Sequence, residues 1–230
     1  MKITLILILF LVVIAAGCLE TKESWPATVS ENILKEEGWV AAGAIQKQTQ
    51  TQNVAGVPVK VNMASMTYRD DELTNNITSQ LATINGLTPS QASGASQFTS
   101  QLATMRIVLP ADVSLPSEIM NKISTSQLEQ IASKNNIRDF HETGSKKTSL
   151  SNGKEAEVKM YEGLVDFEGG SIKIRGMITT WPDAGSNIIV FGVHPAEDII
   201  ITPGSGKPVS VKVNGEEEAS KMLKLIKNVK

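Results

Sequence analysis

The apolar positions of this chain follow three rhythms in turn. An unbroken run from Leu5 to Ala16 comes first, and after it hydrophobic residues recur either at alternate positions or every third to fourth residue. These two spacings belong to strands with one buried face and to one-faced helices. From Gly38 to Gln52 the pattern is strand-like but polar at its far end, Gln46 to Gln52, which predicts a strand running into solvent. Val57, Val59, Val61 and Met63 then alternate with Pro58, Lys60, Asn62 and Ala64, a clearer strand. Between Leu73 and Thr104 the chain turns rich in Ser, Thr, Asn, Gln and Ala, with Asn85-Gly86 and Thr88-Pro89 as breakers. This stretch, about residues 73–104, is expected to be an insertion, part helix and part loop. A strand pattern returns at Met105 to Leu109. Pro116-Ser117-Glu118 opens a helix to about Lys134, with Ile119, Ile123, Leu128 and Ile131 on one face and Asn135-Asn136 as its stop.

The following part is the most β-rich. Strands are predicted over Lys146–Leu150, Lys154–Val165, Ser171–Trp181 and Asn187–Val193, paired antiparallel in sequence order. Ser151-Asn152-Gly153 and Glu168-Gly169-Gly170 supply the tight turns. Ile188 to Phe191 is apolar on both faces and is expected to be central. Val209, Val211 and Val213 add a strand, with Gly204-Ser205-Gly206-Lys207 as the loop before it. A closing helix is capped by Asn214, begins with Glu216 to Glu218 and ends with Lys224 and Lys227, which suits the helix dipole. Its stripe is Ala219, Met222, Leu223, Ile226 and Val229. The expected class is therefore α+β: an antiparallel β-sheet meander covered by helices, a single domain over residues 31–230.

The first apolar run has a different purpose. Met1-Lys2, twelve apolar residues and a cluster of small ones are the parts of a secretory signal. Spanning a bilayer takes about 20 residues, so the run is too short to do so. Ala15-Ala16-Gly17-Cys18 resembles the lipobox of prokaryotic lipoproteins, which implies cleavage between Gly17 and Cys18 and lipidation of the Cys18 thiol. Residues 1–17 then form the signal peptide, and residues 18–30, with Trp25-Pro26, read as a tether. The implied location is the cell membrane, lipid-anchored and facing the extracytoplasmic side.

Composition narrows the rest. The formal net charge is −2, one unit more negative once Lys2 is removed, so nothing favours nucleic acid, which needs clustered Lys and Arg. Cys18 is the only cysteine, and the fold must rest on its apolar core without a disulfide.

Gly38-Trp39, Tyr68-Arg69-Asp70 and the segment Gly163 to Pro195, with Ile174 to Trp181 and Ile189 to Pro195, resemble an uncharacterised family of archaeal lipoproteins. More remotely, the order of strands, long helix, meander and last helix resembles the PsbP/Mog1-type α/β/α sandwich. That resemblance implies binding or assembly proteins and carries weight for fold more than for function.

The chemistry that the residues permit is sparse. His141 and His194 are far apart and have no cysteine partner, so no metal site is expected. His194, beside Pro195, reads as a surface or turn residue. Asp70-Asp71-Glu72 reads as a solvated helix start and lacks the alternation of a calcium loop. Ser151 and Lys154 fall in a turn, where Ser-x-x-Lys cannot act as a nucleophile and base. Asp166 and Glu168 read as hairpin surface. No catalytic residue and no cofactor are expected. Asn76-Ile77-Thr78 is a glycan acceptor pattern at Asn76. Trp181, Pro182 and Asp183 are the candidate contact loop of an interaction module for an unknown partner outside the cell. The alternatives are a carrier or sensor of a small apolar or lipid-like ligand, held between sheet and helix with the polar insertion as a lid, and an extracellular hydrolase. The eight methionines suit an adaptable pocket.

Overall fold

The structure, a computed structural model, describes residues 22–54, 57–110, 114–204 and 206–230. Gly17 and Cys18 lie outside them, as does Ser205. In chain order the elements are α1 (Glu31–Glu36), β1 (Trp39–Ala41), β2 (Gln46–Val54), β3 (Val57–Asp70), α2 (Asp71–Leu81), α3 (Pro89–Ser96), β4 (Gln101–Val108), α4 (Ser117–Lys134), β5 (Arg138–Ser149), β6 (Glu155–Phe167), β7 (Gly170–Asp183), β8 (Ser186–Pro195), β9 (Ile199–Ile201), β10 (Val209–Val211) and α5 (Gly215–Lys227). The strands form one antiparallel sheet in the order β1-β3-β4-β8-β7-β6-β5. Beside β1, the first part of β3 pairs with β2, while β9 joins β10 to the start of β7. The α+β class and the β5 to β8 meander follow the sequence pattern.

The pleat divides the apolar residues between two faces, and a helix covers each. Leu102, Val158, Met177, Ile188 and Val190 lie under Met222, Leu225 and Ile226 of α5. Ile107, Tyr161, Ile178 and Ile189 on the other face meet Met120 of α4, with Ile119, Ile123 and Leu128 beside it. A third cluster fills the end of the sheet, where Leu73, Ile77 and Leu81 of α2 meet Ile172, Ile174, Ile199, Ile201 and Val211. The run Ile188 to Val190 is buried throughout because β8 lies between β4 and β7 and is covered on both sides.

Local chemistry explains the boundaries. Asn214 caps α5 by accepting from the Glu217 amide, as expected. Thr88 and Gln91 form a reciprocal capping box at α3. Gly153 takes a positive φ in the β5–β6 turn, and its amide donates to the Leu150 carbonyl.

Three features differ from the sequence pattern. Strand β5 begins at Arg138 and not at Lys146, because its first half is a polar sheet edge, with register shifts between Arg138 and His141 and between Glu142 and Gly144, and so lacks alternation. The insertion is part helix and part loop, as expected, but the strand after it, β4, starts at Gln101 and not at Met105. The stretch expected to be a tether is packed against the body from Ser24 onward. Ser24, Ala27 and Val29 are buried, the Ser24 hydroxyl donates to the Arg106 carbonyl at 3.0 Å, and Thr28 and Lys230 exchange backbone hydrogen bonds at 2.9 Å.

Candidate functional site

The sheet face under α4 carries Ile172, Ile174 and Ile178 in one row, and the row is broken by Gly176. A glycine there removes a side chain from an otherwise filled layer. The space above it is a cleft of about 500 Å³, walled by Leu128 and Ala132 of α4 and by Phe98 just after α3, with Phe140, Val165, Phe167 and Val193 around it. Three of the chain's five phenylalanines line this one space. Phe98 and Phe167 are tilted together with centroids 5.4 Å apart, and Phe140 stacks on Tyr161 at 5.2 Å. These phenylalanines are only half-buried, which is unusual for residues of this hydrophobicity in a filled core.

A side chain at Gly176 would enter the cleft without striking backbone. A Cβ there would meet Tyr161 Cβ at 3.7 Å and the Gly192 carbonyl oxygen at 3.9 Å, both ordinary contacts. Gly163 differs, since Ile137 sits 2.5 Å from where its Cβ would be and already covers it.

The charged groups at the cleft are spoken for. Asp166 holds Arg138 through two hydrogen bonds at 2.6 Å, which keep its carboxyl below the ordinary range. Glu162 binds Lys173 at 2.7 Å and Arg175 at 3.0 Å, and these bonds lower its pKa. Gln97, Gln101 and Asn135 are exposed at the rim. The lining offers apolar contact, a few amides and no unpaired charge, a combination that suits a small uncharged molecule.

A second chemically distinct place lies where both ends of the insertion meet α5. Asp70 is fully buried and Glu218 is 4% exposed. Asp70 caps α2 by accepting from the Leu73 amide at 2.7 Å, and its Oδ2 has no hydrogen-bond partner. Glu218 accepts from the Ser100 hydroxyl at 2.5 Å. Lys221 stands 3.5 Å from Asp70 and 3.7 Å from Glu218, the one cation between them among the described residues. Burial pushes the Glu218 carboxyl up to about 7, against the lowering effect of Ser100, and the nearby Asp70 charge pushes it further in the same direction.

A family profile described as a domain of unknown function, DUF6517, matches residues 26–230. The chain belongs to the DUF6517 family. The match begins within the packed segment before α1 and takes in every helix and strand among the described residues, so the cleft and the carboxyl pair both lie inside the DUF6517 domain. No curated protein matches it.

Within the DUF6517 domain the residues singled out by sequence do not converge on one site, apart from Asp166 and His194, which both line the cleft. Trp181 is 2% exposed in the core under α5, not on a loop, because β7 continues to Asp183 and the pleat turns the indole inward. Pro182 is exposed, whereas Asp183 is tied to Arg106 at 2.6 Å and Lys154 at 2.9 Å. Asn76 is exposed on α2, and its Oδ1 accepts from Gln80 at 2.6 Å. His194, expected at the surface, is fully buried. Its Nδ1 donates to the Pro195 carbonyl at 2.8 Å, its Nε2 has no partner, and burial lowers its pKa. Asp70, expected to be solvated, is buried because capping α2 points it under α5. Ser151 and Lys154 lie in a turn, and Lys154 is committed to Asp183 and the Pro182 carbonyl. Among the described residues, no group of three or more His, Cys, Asp or Glu could hold a metal ion. What sequence reading missed was Gly176, whose signal was the missing side chain in the Ile172, Ile174, Ile178 row.

Proposed function

We propose that this DUF6517 protein is a lipid-anchored, extracytoplasmic binding protein that holds a small, uncharged, apolar molecule between α3, α4 and the sheet. The observation that carries this reading is the cleft of about 500 Å³ floored by Gly176 and walled by half-buried phenylalanines. The volume lies within the range of about 300–1,000 Å³ usual for small-molecule sites. Part of the wall comes from the 73–104 insertion, which supports a lid role for it. The burial of Trp181 weighs against the contact-loop reading. We assign the protein no catalytic step.

Attachment through Cys18 and membership of an archaeal lipoprotein group are parts of the same proposal, supported by the leader sequence and by the segments Gly38-Trp39 and Gly163 to Pro195. A PsbP/Mog1-like relationship is supported by helices on both faces of an antiparallel sheet. The packed segment enters the body beside Arg106, near the β7–β8 turn, while the cleft lies at the opposite end of these strands, by Gln101 and Val193. An anchor at Cys18 would therefore leave the cleft turned away from the bilayer.

Native mass spectrometry of the full chain released from its own membranes tests the reading. A bound apolar molecule is expected with the natural protein and is expected to be lost from Gly176→Leu, whose side chain fills the space. An empty natural protein, or equal loading of both, would refute it.

A further inference from the structure

We infer that the β2 edge is a self-association surface, on which a second copy of this chain pairs antiparallel and joins the two sheets. Two of the sheet's outer edges, β5 and β2, differ in kind. Strand β5 has two register shifts, positive φ at Asp139 and Gly144, and adjacent Lys146 and Lys147, the devices by which exposed edges avoid pairing. Strand β2 has none of them. Its nine residues pair with β3 in unbroken register from Gln46↔Ser65 to Val54↔Val57, with no proline and no bulge. Among the described residues it has no strand on its other side. Its one cation, Lys47, is engaged elsewhere, by Glu23 at 2.6 Å and by the Trp25 ring at 3.4 Å.

The sequence of the edge says what would pair with it. Gln48-Thr49-Gln50-Thr51-Gln52 reads the same in both directions. An antiparallel copy centred on Gln50 sets Thr49 opposite Thr51 and Gln48 opposite Gln52, so each position meets its own residue type in the partner strand. That register also places Lys47 opposite Asn53 and keeps the two lysines apart. A twofold interface needs this kind of self-complementarity. Exposed apolar residues gather at the same border. Trp25 is 59% exposed, Val40 40% and Ile45 42%, three of the five large apolar side chains that stand out from the surface among the described residues. Trp25 lies over Lys47, Val40 is in β1, and Ile45 immediately precedes β2. They supply the apolar contact that a row of Gln and Thr lacks.

Sedimentation of the detergent-solubilised full chain, with cysteine cross-linking in membranes, tests the inference. The natural chain is expected to be dimeric. Thr49→Lys with Thr51→Lys puts lysine opposite lysine and is expected to weaken the dimer about tenfold or more. Thr49→Lys with Thr51→Glu puts lysine opposite glutamate in this register and is expected to restore it, an outcome that misfolding would not give. Gln50→Cys is expected to form a disulfide dimer well above that of the exposed control Lys207→Cys. A monomeric natural chain, a dimer indifferent to the paired lysines, a lysine–glutamate variant that stays monomeric, or cross-linking of the Gln50→Cys variant no stronger than that of the control would each overturn it.

Discussion

Glu218 shows how one residue can set the response of the whole fold to pH. Its carboxyl sits under α5 beside Asp70, with Lys221 as the nearest cation and Glu72 and Glu217 on the outer side of that lysine. Because its pKa in the folded protein is raised to about 7 from an ordinary 4.5, the native state holds the proton more tightly than the unfolded chain. Its contribution to stability is therefore complete below about pH 4.5 and is lost as pH rises to about 7. The full effect is on the order of 3 kcal/mol. Buried His194 has the opposite sign, since its lowered pKa costs stability as pH falls below 6.5. Glu218→Gln separates the two. Urea unfolding between pH 5 and 8 is expected to show the natural chain losing stability relative to Glu218→Gln as pH rises, and a difference that does not change with pH would refute this assignment.

At the scale of elements, α5 is held by contact at its first turn as much as by its apolar stripe. Gly215 opens the helix, and a Cβ there would stand 2.0 Å from the Ala196 carbonyl oxygen. Helix propensity alone favours alanine over glycine by about 1 kcal/mol. The backbone clash outweighs this, so Gly215→Ala is expected to destabilise by about 2 kcal/mol or more in urea unfolding. What the sequence made legible follows the same division between pattern and contact. The α4 and α5 helices and strands β6 and β7 were readable because each has an apolar face with a period that its backbone imposes, and β8 because it is a short run apolar on both faces. The first half of β5 was not, because an exposed edge has no apolar period to read. His194 and Asp70 were misplaced for a related reason. Their burial is decided by α5, an element distant in sequence, and nothing next to them records it. The cleft was half legible, since a pocket between sheet and helix could be expected while its position depends on one glycine facing Leu128 and Phe98.

For the molecule as a whole, the question is how the body is attached. Cys18→Ser is expected to move the chain from the membrane fraction to the medium or the soluble extracytoplasmic fraction. Retention in membranes after that change would refute lipid anchoring through Cys18. Were the chain anchored and paired as proposed, the two would reinforce each other, because two copies held at one surface meet at a higher effective concentration than two copies free in solution.

The segment from Ser24 to Ser30 has a mechanical consequence. It runs along β4 and lies against the last residues of the chain, bonded in turn to Arg106, Thr104, Tyr68 and Lys230 and bridged from Val29 to Val229. Tension arriving through Cys18 would pull along this line of bonds and load them together in shear, not one at a time as when a hairpin is unzipped. The segment would act as a strain relief, keeping drag on the tethered body away from the sheet and the space beneath α4.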